Sequence, residues 1–128
     1  MFKDLLTVLY VDDIAHSLTL YRDVLGMAET YRFPRQGAPE HVELRLGGAT
    51  LGLSSPAGLV TEGLPPLVVR GQPFELALEC EDTDAALPAL RAAGCKVVRE
   101  PFDSAAGNRV AYVEDFDGNR LSIYSKRQ

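Results

Sequence analysis

The chain repeats itself at a spacing of about 69 residues, and this repeat restricts the possible folds more than any other feature. Residues 11–18 (VDDIAHSL) and 80–87 (CEDTDAAL) both end an apolar stretch, carry acidic residues and then begin a helical pattern. The two helical patterns stop at Gly26 and Gly94, which are 94 − 26 = 68 positions apart. A repeat of this length indicates a duplicated supersecondary unit.

Each copy also closes with a similar strand pattern, at residues 48–54 and 118–124, offset by 118 − 48 = 70. The segment between the copies contains four prolines, and linkers of this kind either cover a site or are mobile. The sequence therefore predicts a single domain over residues 1–128, made of a first module (4–54), a linker (55–73) and a second module (74–124).

Alternation and helical periodicity predict the order β-α-β-β-β in each module. The first helix is expected to begin after Asp12 or Asp13 and to end at Leu25; the second is expected to run from Thr83 to Ala93. Pro88 lies inside the second pattern, so this helix either starts near Asp84 or kinks. The predicted strands are 4–11, 27–33, 41–46, 49–54, 74–80, 95–99, 110–114 and 120–124.

Charge and composition exclude several classes of partner. The formal net charge is −5, and no basic stripe interleaved with aromatic residues is present, which disfavours nucleic-acid binding and anionic membranes. No apolar run reaches membrane-spanning length, and the N-terminal residues do not resemble a signal peptide. We therefore expect a cytoplasmic protein without membrane or nucleic-acid partners, in which Cys80 and Cys95 are free thiols.

Two stretches carry a resemblance to a known family. Residues 10–26 (YVDDIAHSLTLYRDVLG) and 113–123 (VEDFDGNRLSI) resemble signatures of the vicinal oxygen chelate superfamily, which includes glyoxalase I, extradiol dioxygenases and bleomycin resistance proteins. Phe116 stands where the family usually has proline. The resemblance implies an α+β fold in which two β-α-β-β-β modules pair curved mixed sheets around a cleft. It also implies a homodimer, but it does not select a reaction, because this scaffold supports unrelated chemistries.

The resemblance also implies where a metal ion would bind, because metal-dependent members place ligands on the first and last strand of each module. The corresponding positions are Leu6, Gly52, Glu75 and Ser122. Leucine and glycine have no donor side chain, and serine is a poor ligand, whereas a divalent ion needs at least three donors. We therefore expect no metal and no cofactor.

Strand alternation assigns one polar face to each sheet, and we expect these faces to line the cleft. The predicted ligand-binding residues are Leu6, Val8, Tyr10, His41, Glu43, Arg45, Gly52, Glu75, Arg120, Ser122 and Tyr124. Gly52 is expected to leave room for a ligand because it removes a side chain.

Glu75 and His41 are the candidate catalytic residues of this face, and each has a structural alternative. Glu75 is either a structural partner of Arg120 or Arg45, or a carboxylate that faces the ligand. His41 is either a rim residue or a general base.

The sequence favours a metal-independent small-molecule-binding protein of the bleomycin-resistance type, with a neutral or cationic ligand. One alternative is a glyoxalase-like lyase or isomerase that uses Glu75 or His41 as general base. Another is a metal-dependent dioxygenase or glyoxalase with an unorthodox site that includes His41, Glu43 and Glu75. Acyl transfer is not expected, because the chain lacks a Gly-x-Ser-x-Gly motif and no serine or cysteine lies beside a plausible base in sequence.

Overall fold

A computed structural model describes residues 1–57, 63–65, 72 and 74–126. The chain divides into two compact units, Met1–Val68 and Val69–Gln128, and the boundary falls inside the predicted linker. The prediction that the linker covers a site or is mobile concerns a segment that lies mostly outside the described residues. No helix among the described residues is long and apolar enough to cross a membrane.

The first module has the predicted element order. Its sheet has the strand order β1-β4-β3-β2, in which β1 runs parallel to β4 and the other neighbours are antiparallel. Between β1 and β2 the chain forms helix α1 (Ile14–Leu18), which continues as a π-helix over Thr19–Val24. The strands are β1 (Thr7–Tyr10), β2 (Ala28–Phe33), β3 (His41–Leu46) and β4 (Ala49–Ser54).

The second module repeats this topology, with the strand order β5-β8-β7-β6 and β5 parallel to β8. Its helix, α2, spans Thr83–Ala93. The strands are β5 (Leu76–Glu79), β6 (Lys96–Asp103), β7 (Asn108–Glu114) and β8 (Arg120–Lys126). The strand registers match as well, because Val8 pairs with Gly52 in one sheet and Ala77 pairs with Ser122 in the other. The α+β fold with two similar modules is therefore confirmed.

The helix ends follow the predicted capping residues. Asp13 accepts a hydrogen bond from the backbone N–H of His16 at 3.0 Å, and Asp82 accepts one from Ala85 at 3.2 Å. Gly94 ends α2 with a φ of 103°, a conformation that favours glycine. Helix α2 begins at Thr83, so Pro88 is its sixth residue, and its side chain is exposed.

The π-helix is the main departure from the predicted first helix. The backbone N–H of Leu25 donates to the carbonyl of Leu20, five residues earlier, at 2.8 Å. The wider turn changes which side chains share a face. Leu20 and Tyr21 are both fully buried, whereas Leu25, the predicted last residue of the helix, is only half-buried.

Alternation along the strands separates a buried face from a polar face, as predicted. In β3, Val42 and Leu44 are completely buried, while His41 and Glu43 on the opposite face are partly exposed. Two apolar residues at the ends of predicted strands are not buried. Leu5 lies before the observed start of β1, and Leu46 lies beside the hairpin turn. Both are exposed, so the buried face of the first sheet is shorter than the predicted strands imply.

Candidate functional site

The polar face of the first sheet brings predicted site residues from three strands together. In register, Gly52 of β4 lies between Val8 of β1 and Glu43 of β3. Two residues further along β4, Ser54 lies between Tyr10 of β1 and His41 of β3. Neighbouring positions of equal register point to the same side of a sheet, so these side chains form one continuous surface.

Gly52 is a point of close approach on this surface. A Cβ atom at this position would lie 3.0 Å from Cε1 of His41, 3.4 Å from Cγ2 of Val8 and 3.6 Å from Cδ2 of Leu6. These side chains already occupy the space that a larger residue would need. The expectation that Gly52 leaves room for a ligand is therefore wrong, because the glycine instead allows the imidazole to lie against the strand.

Both ring nitrogens of His41 have partners. Nδ1 lies 2.6 Å from Oγ of Ser54, and Nε2 lies 2.9 Å from Oε2 of Glu43. These three residues, the Ser54–His41–Glu43 chain, come from two neighbouring strands. A serine does lie beside a plausible base, and the sequence argument missed it because the contact forms across strands.

The carboxylate of Glu43 fixes the direction of these hydrogen bonds. An ionised carboxylate only accepts, so the proton between Glu43 and a neutral His41 belongs to Nε2. Nδ1 then carries the lone pair, and the hydroxyl of Ser54 donates to it. The arrangement holds His41 in the tautomer that can accept a proton from Ser54.

Tyr31 is a further residue of this surface that the sequence analysis missed. It pairs with Glu43 in register, its ring lies 6.1 Å from the ring of His41 with an interplanar angle of 57°, and it is 48% exposed. Alternation along the predicted strand 27–33 was the signal that could have identified it.

The predicted site residue Arg45 points away from this group. Its side chain extends to the hairpin turn, where its Nε donates to the carbonyl of Gly47 at 3.1 Å.

The polar face of the second sheet is organised by ion pairs. Glu75 lies 3.6 Å from Nε of Arg120, which matches the structural alternative for Glu75, and both side chains are well exposed. The hydroxyl of Tyr124 donates to Glu79 at 3.3 Å. Ser122 is buried and pairs in register with Ala77.

A row of stacked cations and rings on this second face was not predicted. Tyr112 pairs in register with Ser122, and the guanidinium of Arg120 lies 5.6 Å from the centre of its ring. Phe102 stacks against Tyr112 at 6.3 Å, and Arg99 lies 4.3 Å above Phe102. Cation–π contacts of this kind orient rings and guanidinium groups on a surface.

The residues at the family's metal positions do not fit a divalent ion. Leu6 and Gly52 provide no side-chain donor in the first module, and Glu75 is paired with Arg120 in the second. The nitrogens of His41 are both engaged by protein groups. In the part of the chain that the structure describes, no three histidine, cysteine, aspartate or glutamate side chains are grouped to hold a metal.

The two cysteines are free thiols, as predicted. Cys95 is buried, and burial together with the nearby negative charge of Asp115 raises the pKa of its thiol to about 11. Because a thiolate is the reactive form of cysteine, this residue is a core side chain and a poor nucleophile.

Comparison with known proteins agrees with this architecture. A sequence model of the Glyoxalase/Bleomycin resistance protein/Dioxygenase superfamily matches residues 5–123. A search of curated proteins found no significant match.

Solved structures share the fold over nearly the whole chain. A glyoxalase-related enzyme from Fulvimarina pelagi has 21% identity, a TM-score of 0.81 and coverage of 98% of this chain and 89% of its own. TioX from Micromonospora sp. ML1 has 20% identity, a TM-score of 0.73 and coverage of 98% and 100%. Lactoylglutathione lyase from Agrobacterium tumefaciens has 22% identity, a TM-score of 0.69 and coverage of 96% and 92%. With its duplicated module and its matching family model, this chain belongs to the Glyoxalase/Bleomycin resistance protein/Dioxygenase superfamily.

Proposed function

We propose that the protein is a metal-independent small-molecule-binding protein of the bleomycin-resistance type. Its ligand is neutral or cationic and contacts the polar face of the first sheet. The contact surface combines the apolar side chains of Leu6 and Val8 with the polar and aromatic side chains of His41, Glu43 and Tyr31.

The engagement of both His41 nitrogens by protein groups carries the metal-independent part of this proposal. A metal-binding imidazole needs a free lone pair aimed at the ion, and in this site the lone pair of a neutral His41 is on Nδ1, which lies 2.6 Å from the hydroxyl of Ser54. Glu43 is engaged by the same ring. The donors of this face therefore satisfy one another and do not converge on an ion.

Charge and shape support a flat ligand that is neutral or positively charged. Tyr31 presents a half-exposed ring, and Glu43 provides a carboxylate that is 30% exposed. Aromatic rings attract cations through their faces, and a nearby carboxylate adds to that attraction. The net charge of −5 also favours approach of a cation over approach of an anion.

A thermal-shift experiment separates this function from a metal-dependent one. We expect metal-free bleomycin or members of a panel of planar aromatic amines to raise the melting temperature, and the chlorides of Zn²⁺, Ni²⁺ and Mn²⁺ to leave it unchanged. A specific metal site would instead stabilise the fold by about 2.7 kcal/mol at a hundredfold excess over its dissociation constant. Stabilisation of that size by any of these metals would contradict the proposal.

A matched pair of variants connects ligand binding with this surface. Gly52→Ala displaces His41, whereas Gly48→Ala adds a methyl group where no atom lies within 4 Å. We expect the shift caused by a ligand from the panel to fall in Gly52→Ala and to persist in Gly48→Ala. Equal shifts in both variants would place the ligand elsewhere.

A lyase or isomerase with His41 as general base is the second candidate, because the hydrogen bond to Glu43 selects the basic tautomer of His41. Glu75 is less suited to this role because it is exposed and paired with Arg120. The hemithioacetal of methylglyoxal and glutathione is a suitable probe, with thioester formation as the readout. This candidate requires turnover that His41→Ala abolishes, and the absence of turnover in the unmodified protein would exclude it for this substrate.

We further propose that the protein acts in the cytoplasm as a homodimer. The two free cysteines support a reducing compartment, and the family resemblance supports the dimer. Light scattering coupled to gel filtration measures the mass in solution, and a monomer at micromolar concentration would contradict the second part.

A further inference from the structure

We propose that Ser54 is a nucleophile, activated by His41, and that the first module transfers small acyl groups from activated esters to water. The inference is independent of the ligand-binding function proposed above. It rests on the order of the hydrogen bonds in the Ser54–His41–Glu43 chain and on the apolar side chains beside it.

With a neutral imidazole beside an ionised Glu43, the hydrogen bonds run in one direction, from Ser54 through His41 to Glu43. The hydroxyl of Ser54 is 2.6 Å from the basic nitrogen, and the protonated nitrogen is 2.9 Å from the carboxylate. A nucleophile within hydrogen-bond reach of a base, with a third group that orients the base, is the geometry that activates a hydroxyl group. In this chemistry the substrate contacts the hydroxyl of Ser54, and His41 acts on the substrate through that hydroxyl.

The backbone around Ser54 holds this hydroxyl in place. Ser54 is the last residue of β4, and its carbonyl accepts a hydrogen bond from the N–H of Val11 at 3.0 Å. It pairs in register with Tyr10 on one side and His41 on the other. The paired backbone fixes the position of the Ser54 Cβ, and the contact with His41 fixes the hydroxyl, so little conformational entropy is lost when it reacts.

The surroundings fit a small apolar acyl group. Val8 lies on the same face of β1 as Tyr10, the partner of Ser54, and Leu6 approaches the same glycine as Val8 does. These apolar side chains lie next to Gly52, two residues before Ser54 in β4 and on the same face, where they provide contact for a methyl or short alkyl group. Aryl acetates supply such a group together with a good leaving group.

The reaction requires only the ester and water as reactants. The Oγ of Ser54 forms a bond to the acyl carbon, its proton moves to Nδ1 of His41, and the bond to the aryl oxygen breaks as that oxygen takes the proton. Water then attacks the acyl-serine and gives one proton to Nδ1, which returns it to Oγ as the bond from Oγ to the acyl carbon breaks. The products are a phenol and a carboxylic acid, and Glu43 stabilises the imidazolium in both steps.

p-Nitrophenyl acetate and a fluorophosphonate probe test this proposal on the full chain. We expect a burst of one p-nitrophenolate per chain, followed by slower turnover, and a single fluorophosphonate adduct that peptide mass spectrometry assigns to Ser54. Ser54→Ala should remove the adduct and lower the rate at least 100-fold. Ser55→Ala, the matched control one residue along the chain, should retain both.

Glu43→Gln tests the positioning role of the carboxylate and does not rely on the Ser54 variant. We expect its kcat to fall by about 10²–10⁴, the range for loss of general base assistance, with a smaller change in KM. The adduct should still form on Ser54, but more slowly. If Glu43 only stabilised the fold, Glu43→Gln would lower the melting temperature, and kcat would not fall more than KM changes.

Three outcomes would overturn the inference: no burst and no adduct in the unmodified protein, an adduct on another residue, or an unchanged rate in Ser54→Ala. None of these outcomes bears on the binding function, because the thermal shifts with bleomycin or aromatic amines are measured without an ester. The two proposals therefore succeed or fail separately.

Discussion

Replacing Gly52 with alanine tests how tightly the polar surface of the first sheet is packed. Two carbon atoms prefer a separation of about 3.5–4.0 Å, but the new Cβ would lie 3.0 Å from Cε1 of His41 and 3.4 Å from Cγ2 of Val8. His41 is held by two hydrogen bonds, so any movement that relieves the overlap lengthens at least one of them. Gly52→Ala should therefore destabilise the fold although alanine suits a strand better than glycine does.

The magnitude follows from two opposing effects. Overpacking costs about 1–3 kcal/mol, whereas replacing a glycine of ordinary backbone conformation gains about 0.4–1 kcal/mol by restricting the unfolded chain. The midpoints of these two ranges differ by about 1.3 kcal/mol, so we expect a net loss of about 1–2 kcal/mol for Gly52→Ala. For a chain of 128 residues this corresponds to a fall in melting temperature of about 4–8 °C.

Urea unfolding of five proteins measures this effect with internal controls: the unmodified chain, Gly48→Ala, Gly52→Ala, His41→Ala and the Gly52→Ala/His41→Ala double variant. Gly48→Ala should be neutral or slightly stabilising, because nothing lies within 4 Å of its added Cβ. Gly52→Ala should lose its cost in a His41→Ala background, which gives a coupling energy of about 1 kcal/mol or more. The reasoning is refuted if Gly52→Ala behaves like Gly48→Ala, or if its cost is the same with and without the imidazole.

The remaining predictions concern the core and the helix ends of the second module. Because the pKa of Cys95 is raised to about 11, the unfolded chain loses this proton first, so the free energy of unfolding should fall above about pH 9, by up to about 2–3 kcal/mol at pH 11; a fall of equal size in Cys95→Ala would show that another group is responsible. Thr83 is completely buried and donates to the carbonyl of Arg109 at 2.7 Å, so Thr83→Val should cost about 1–3 kcal/mol in urea unfolding and Thr83→Ser, the control, clearly less. Asp82→Ala should cost about 1 kcal/mol through loss of the hydrogen bond from Ala85, while Asp82→Asn keeps an acceptor and should cost little; equal losses would argue against the cap.

The fold could be predicted because its signals lie in neighbouring residues. Alternation alone located β3 and β4 with their observed ends, and the acidic cap with a terminal glycine located α2. The similar spacing of these signals in both halves predicted the shared strand order. The π-helix was missed because the apolar residues between positions 14 and 25 are spaced as in an ordinary α-helix, and the change from four- to five-residue hydrogen bonding lies in the backbone.

The sequence by itself determined the duplicated module, the buried faces of the strands and the absence of donor side chains at Leu6 and Gly52. These properties depend on residue identity and on periods of two and 3.6 residues, which are local quantities. The tertiary structure decided which polar groups meet. Ser54 and His41 are 13 residues apart in the chain, and only the pairing of β3 with β4 places the hydroxyl 2.6 Å from the imidazole. Likewise, the glycine at position 52 predicted an open space beside the strand. In the fold this space is filled by side chains from outside β4.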